Sequence, residues 1–479
     1  MNSTNNLSAD NPSQEEQKLK LWKLWLLRRY SVCFMLGLGV LISFIMRLNL
    51  SIAIIPMTSN STKNDLPDFD WNSSEQGIIL SAIFVGQLLS QLPAGIFANR
   101  CNGARILGFS NTISSIISVL TPVIVFNFYT MVGVRILQGF FAGMFLPLQM
   151  SVIAKWSPVN ERAKMTLFSN TGYYFASVVT FSLSGIISDY LGWRNVFYIS
   201  GLVGLTWSLF WLIFYDETPQ KDKRITEVER QYIVNSLGNQ SKRGIKIPWL
   251  AIFKSVPFWS IIVAILTQSW ILFALNTHMP TFFSQTMNIQ TTKTGFYSSI
   301  PYLINGTVAM ISGILSDRLI STRYFTTVQV RKLFTCVPAF VVTLLLVCLN
   351  FWMSPVLSIV ILTLVLVCCA LAQAGYYVNF VDIAPQFTGI LLGIAFTIAI
   401  GLGAFSPTVI GMVVQHGTVE EWKVVFYIFA VVSFTGGLIY ALTADAEVQQ
   451  WANIPKDVES NTIVVKEIAK MLDDNKYQT

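Results

Sequence analysis

Two arginines stand where a membrane protein can least easily keep a charge. Arg47 lies in S-F-I-M-R-L-N-L-S, and Arg135 in V-G-V-R-I-L-Q-G-F-F-A-G-M-F-L-P. Each is enclosed by an apolar run about one bilayer thick. A guanidinium near the middle of such a run costs roughly 2.5–3.5 kcal/mol on insertion scales. A chain keeps that charge where it faces a wet cavity or a partner. On a helix, Arg135, Gln138, Ala142, Phe145 and Gln149 share one face, at steps of three and four. Three of these five are polar, so a polar stripe points inward. No other Lys or Arg reads as equally deep, and no carboxylate matches the pair. Two deep guanidiniums without a counter-charge describe a cavity that attracts anions. The competing reading is that each arginine bonds backbone carbonyls at a helix break.

The elements that must position these residues follow from composition. The chain has 479 residues, 53% of them hydrophobic and 12% charged, with a mean hydropathy of +0.56. A soluble domain carries about 25% charged residues. The expected class is therefore an all-α polytopic membrane protein. Runs of about 20 apolar residues give twelve spans. Their limits are 32–57, 76–98, 104–126, 128–152, 165–190 and 195–215, then 257–285, 294–320, 330–352, 355–378, 385–412 and 422–444. The organisation is a tail (1–30), a six-helix bundle (31–215), a linker (216–256), a second six-helix bundle (257–444) and a C-terminal tail (445–479). With the N-terminus in the cytoplasm, 26 Lys and Arg fall on the cytoplasmic side and 4 on the other; Arg47 and Arg135 complete the 32. Positive charge collects in cytoplasmic loops, so both termini and the linker are expected there. Glu227 to Arg230 reads as part of a solvated helix. Sequons at Asn60 and Asn72 fall in the first outer loop and are candidate glycosylation sites. The six cysteines lie in spans or cytoplasmic loops, so no structural disulfide is expected, and no metal-ligand spacing occurs. The net charge of +7 sits in loops and does not indicate nucleic acid.

The halves repeat. G-I-F-A-N-R (Gly95 to Arg100) follows the second span, and G-I-L-S-D-R (Gly313 to Arg318) follows the eighth, 218 positions later. W-R-N-V-F-Y-I (Trp193 to Ile199) enters the sixth span, and W-K-V-V-F-Y-I (Trp422 to Ile428) enters the twelfth, 229 positions later. A parallel duplication places two bundles about an axis along the membrane normal, with a solute site between them. These repeats, with Gly103-Ala104-Arg105, resemble the major facilitator superfamily. The resemblance implies a cytoplasmic latch formed by Gly95, Arg100 and Arg105 in one half and Gly313, Asp317 and Arg318 in the other. Asn99 stands where that superfamily usually has Asp, which implies a weaker first latch.

Within that superfamily the chain is similar to solute carrier family 17, the sialin, vesicular glutamate transporter and sodium–phosphate cotransporter group. The stretches that carry this are R-L-N-L-S-I-A-I-I-P-M (Arg47 to Met57), W-N-S-S-E-Q-G-I-I-L-S (Trp71 to Ser81), V-R-I-L-Q-G (Val134 to Gly139) and K-W-S-P-V-N-E-R (Lys155 to Arg162). V-R-K-L-F (Val330 to Phe334), V-N-F-V-D-I-A-P (Val378 to Pro385) and A-E-V-Q-Q-W-A (Ala446 to Ala452) continue it. The likeness implies that Arg47 and Arg135 are the anion-site arginines. Proton-coupled members have Glu at the place of Ala142. Vesicular glutamate transporters have His at the place of Leu80 and Arg at that of Gln268. These departures imply the phosphate and organic-anion branch.

Further candidates come from the residues. Tyr302, in S-I-P-Y-L, has a hydroxyl to offer an anion, or packs beside Pro301. Asn379 is a candidate solute contact at the end of span ten, and Asp382 reads as a helix cap. Trp270 and Phe273 line a cavity or face lipid. His278 is a proton relay or a hydrogen-bonded structural residue. No Ser/His/Asp set and no H-E-x-x-H occur, which argues against a membrane enzyme. The expected function is a secondary transporter of phosphate or organic anions, sodium- or potential-driven and monomeric, with Na+ as a possible coupling ion and no other cofactor. The alternatives are a proton-coupled, sialin-like organic acid exporter and a non-transporting anion sensor. Neither tail carries an evident sorting signal, which points to the plasma membrane. Epitopes placed in the N-terminal tail, the linker and the C-terminal tail are expected to bind antibody only after permeabilisation. A linker epitope reachable on intact cells would break the twelve-span topology.

Overall fold

A computed structural model describes residues 27–58, 68–158, 161–237, 247–287, 290–322, 324–351 and 353–452. Asn60 and the side chain of Arg100 lie outside the described residues. Lipid offers no hydrogen bonds, so spanning segments satisfy their backbone as helices. Among the described residues, twelve helical segments are long and apolar enough to cross a membrane. The first bundle holds α1 (Arg28–Thr58), α2 (Ser73–Arg100), α3 (Gly103–Ile124), α4 (Phe128–Gly143), α5 (Phe145–Trp156), α6 (Arg162–Leu191) and α7 (Trp193–Phe214). Two short helices follow, α8 (Glu227–Leu237) and α9 (Trp249–Lys254). The second bundle holds α10 (Val256–Met287), α11 (Thr291–Ser321), α12 (Thr327–Phe351), α13 (Pro355–Ile383), α14 (Thr388–Gly403), α15 (Ser406–Val413) and α16 (Val419–Thr443).

Local chemistry sets the helix ends. Asn72, Asn127 and Thr418 each form a capping box at the start of α2, α4 and α16. Gly192, at φ +85°, turns the chain directly from α6 into α7. Two spans break where the sequence reading had them continuous. The fourth breaks at Met144 between α4 and α5, and the eleventh at Ala404–Phe405 between α14 and α15. In each case a proline stands just beyond, Pro147 and Pro407. A proline has no N–H for the carbonyl four residues earlier, here that of Gly143 and of Gly403.

Helices in lipid gain nothing from hiding apolar surface from one another, so close approach and polar contacts hold them. The crossing of α2 and α4 shows the limit of that approach. A methyl group on Gly86 would sit 2.0 Å from the Ile136 carbonyl oxygen, and one on Gly139 would sit 2.0 Å from that of Ile83.

Two charged clusters lie on the linker side of the bundles, and both revise the sequence reading. In the first, α8 is not solvated all round. Ile233 is fully buried, and the Glu229 carboxylate accepts the backbone N–H groups of Arg28 and Arg29 at 2.9 and 3.0 Å. Glu229 thus caps α1 from two hundred residues away. Arg28 pairs with Asp222 at 2.9 Å and Arg29 with Glu161 at 3.1 Å. By contrast, Ile252 of α9 is buried in the second bundle's core. The two ends of the linker therefore belong to different bundles.

In the second cluster, Arg331 is buried almost as deeply as Arg135, only 3% exposed. The sequence reading counted it with the cytoplasmic charges, at the very start of the ninth span. Its guanidinium donates to Asp382 at 2.7 and 3.4 Å, to Ser316 Oγ at 2.9 Å and to the Ala374 carbonyl at 3.2 Å. Asp382, expected as a cap, is instead the counter-charge that joins α12 to α13. Removing one partner of a buried pair strands the other, at roughly 3–5 kcal/mol. Asp382→Ala is expected to lower stability by about that amount in thermal unfolding of the detergent-solubilised protein. Combining it with Arg331→Met is expected to recover most of the loss.

Candidate functional site

Arg47 and Arg135 occupy different environments. Arg47 is half-buried at the contact between the bundles. Its guanidinium carbon lies 4.3 Å from the centre of the Phe84 ring, 5.1 Å from Phe44 and 5.5 Å from Phe273. Phe273 comes from the second bundle and touches Phe84 at 4.8 Å between ring centres. Each such ring contact contributes roughly 0.5–1 kcal/mol, up to about 2 when desolvated. None of them neutralises the charge. Arg47 Nε has no hydrogen-bond partner.

Beside this guanidinium lies a small pocket with a cavity volume of about 20 Å³. Ser43, Phe44 and Arg47 line it from α1, Ile83 and Gln87 from α2, Gly139 and Ala142 from α4, and Phe145 and Leu146 from α5. The break at Met144 is what turns Phe145 and Leu146 into its wall. Ser43 stands one helical turn before Arg47, so that spacing marks it in the sequence. Gln87, Phe44 and Phe84 were missed, and Phe273 was left between cavity and lipid; in apolar spans, cavity-lining and lipid-facing side chains look alike.

Arg135 is 1% exposed, packed behind this pocket. It donates to Gln138 Oε1 at 2.7 Å and to the Met46 carbonyl at 3.5 Å. Gln138 Nε2 donates to the same carbonyl at 3.5 Å. Arg135 and Gln138 therefore grip α1 one residue before Arg47. Among the described residues, no carboxylate pairs with either arginine; the ion pairs of the first bundle lie at its ends.

The remaining candidates divide. Tyr302 is buried at the bundle contact, 5.4 Å from Phe181 of the first bundle, and its hydroxyl has no partner. Tyr173 bridges to the arginine pocket: its ring meets Phe44 at 4.7 Å. Next to it, Tyr174 donates to Gln373 Oε1 across the bundles at 3.3 Å. Asn379 is not brought to the arginines. It is fully buried in the second bundle and donates to the Tyr440 hydroxyl at 2.8 Å. Trp270 packs at the edge of the second bundle's core. His278 is buried, with Nε2 3.1 Å from the Pro407 carbonyl oxygen.

The latch residues stand apart. Asp317, Arg318 and Arg105 are exposed, and methyl groups on Gly95 and Gly313 would meet nothing within 4 Å. Asn72 is exposed and caps α2.

The family description Major Facilitator Superfamily matches residues 36–406. Sialin of Homo sapiens is 32% identical over 448 residues, covering 88% of this chain and 90% of that protein. The chain belongs to the major facilitator superfamily, in solute carrier family 17. Vesicular glutamate transporter 2 of Mus musculus is 33% identical over 439 residues, covering 89% of this chain and 75% of that protein. Among solved structures, a bacterial homologue of the human lysosomal transporter Spinster, inward-facing and occupied, superposes with a TM-score of 0.70 at 14% identity. It covers 87% of this chain and 96% of that one. The inward-open xylose transporter XylE from E. coli gives 0.66 at 13% identity, over 88% and 98%. The chain is thus a multi-pass membrane transporter with the major facilitator fold, of an anion-transporting family.

The structure also places the family's variable positions. Ala142 lines the pocket beside Arg47. Leu80 is packed in a hydrophobic cluster of the first bundle. Gln268 is buried with an unpartnered Oε1. A charge-assisted hydrogen bond to Arg47 contributes roughly 1.5–3 kcal/mol. Arg47→Ala is therefore expected to weaken anion binding by about 10- to 100-fold, with the protein still reaching the membrane. Arg47→Lys is expected to recover little, since an ammonium lacks the planar fork. Titration of a radiolabelled anion onto purified protein checks both.

Proposed function

We propose that the chain carries small organic anions across its membrane by alternating access, with Arg47 holding the anionic group. The observation behind this is the unpaired Arg47 guanidinium, ringed by three phenylalanines, at the edge of a pocket without a carboxylate. An organic anion fits this lining better than inorganic phosphate. A carboxylate satisfies one guanidinium fork. A phosphate dianion would bring a second charge to a lining whose only polar side chains besides Arg47 are Ser43 and Gln87. The relatives quoted are a sialin and a vesicular glutamate transporter, so phosphate rests on the sequence departures alone.

In this reading the linker face is cytoplasmic and the protein works at the cell surface. The driving force is sodium or membrane potential. Ala142 offers no carboxylate at the position where proton-coupled members have Glu, and the buried His278 stands against a backbone carbonyl. An inside-negative potential expels anions, at roughly 2.3 kcal/mol per charge per 100 mV. Net uptake therefore leans on sodium. A proton-coupled organic acid exporter is the second reading, and the 32% identity to sialin favours it.

Reconstitution in liposomes separates these readings. Sodium, pH and potassium–valinomycin gradients are imposed in turn on a panel of radiolabelled monocarboxylates, dicarboxylates and phosphate. Sodium- or potential-dependent uptake of monocarboxylates, abolished by Arg47→Ala, is the expected result. Uptake that follows only the pH gradient would establish the exporter reading. Binding without uptake under any gradient would make the protein a sensor.

A further inference from the structure

The tightest contacts between the bundles lie on the side away from the linker. On the far side, α6 lies against α11 and α2 against α15 with backbones in contact. A methyl on Gly295 would sit 2.3 Å from the Phe181 carbonyl oxygen, and one on Gly77 would sit 2.7 Å from that of Pro407. This is the state closed at the far mouth.

The two arms of that closure differ in chemistry. The arm between α2 and α15 is neutral: Ser81 Oγ meets the Thr408 hydroxyl at 2.7 Å, and Gln415 donates to Ser74 Oγ at 2.8 Å. The arm between α6 and α11 carries a charge. Asp189 Oδ2 accepts the Thr292 backbone N–H at 2.7 Å and the Thr292 hydroxyl at 2.6 Å. Thr292 is the second residue of α11, so its N–H is one of the groups a helix leaves unpaired at its start. The residue before α11, Gln290, supplies no side-chain cap. The carboxylate therefore fills the missing cap from the other bundle, at the positive end of the helix. Among the described residues it is the only carboxylate that hydrogen-bonds across the bundles.

We propose that Asp189 is the latch of the far mouth, a positioning residue that holds the closed state by capping α11 across the bundle interface. Opening that mouth separates α6 from α11, and only water can then replace the carboxylate. The latch acts against one state and not the other, so its loss shifts the equilibrium rather than the binding site.

The test uses the full chain in lipid nanodiscs, with its cysteines replaced and spin labels at Tyr129→Cys and Val356→Cys. These residues begin α4 and α13 at the far ends of the two bundles, and both are highly exposed. Pulsed dipolar distances then report the mouth directly. Asp189→Ala is expected to raise the ratio of the long-distance, open population to the closed one about tenfold, the shift that loss of a charge-assisted hydrogen bond gives. The nearly isosteric Asp189→Asn, whose amide oxygen still accepts the Thr292 N–H but carries no charge, is expected to give a smaller rise. Thr292→Val, which removes the hydroxyl and keeps the N–H, is expected to give a smaller rise. Adding it to Asp189→Ala should add nothing further. Unchanged distances in both Asp189 variants, or additive effects in the double variant, would overturn the latch. A merely structural role would lower thermal stability and leave the distances where they are.

Discussion

An unneutralised guanidinium inside a membrane is the constraint to which the rest of this structure answers. Taking an ion out of water costs several kcal/mol even after relaxation. A protein selected for stability alone would set a carboxylate against Arg47, as this chain does for Arg331 with Asp382. At Arg47 it uses three aromatic rings, and at Arg135 a glutamine oxygen and a backbone carbonyl. Both choices lower the cost of the charge without cancelling it. What is left over is attraction for an anion, available to a solute because no side chain consumes it.

Backbone geometry supports that arrangement. The glycines of α2 and α4 let the two helices cross almost in contact, which brings Gln87 and Ala142 to one pocket. The break at Met144, three residues before Pro147, gives that pocket its Phe145 wall. Arg135 and Gln138, bonded to the Met46 carbonyl, fix the part of α1 that presents Arg47. Span breaks, glycine contacts and the second arginine all act on the placement of one side chain.

How much of this was legible depended on range. Twelve spans, their duplication and the two arginines were visible, because apolar runs and charges within them are local signals. The span breaks were visible in principle at Pro147 and Pro407. Pairings between distant positions were not. Arg331 follows its helix start by four residues and precedes Lys332, so it reads as a cytoplasmic charge; its partner lies 51 positions on. The Glu229 cap on α1 spans two hundred positions. Phe273 was ambiguous for a different reason. An aromatic residue in an apolar span fits lipid as well as a cavity, and only the approach of the second bundle decides between them. Asn379 shows the same limit of range. A polar residue at the end of a span suggested a solute contact, and its Nδ2 donates to Tyr440, 61 positions on.

The position of Ala142 connects this site to its relatives. It lines the same pocket as Arg47. An ionised glutamate there would supply the counter-charge that this chain omits. Solute and carboxylate would then compete for one guanidinium, and the solute could bind only as the glutamate took up a proton. Competition of that kind couples proton movement to solute movement without any further machinery. In the proposed reading, alanine removes that competitor and would leave the guanidinium open to solute at any protonation state of its surroundings. One methyl in place of a carboxylate would then uncouple the occupancy of the site from protons.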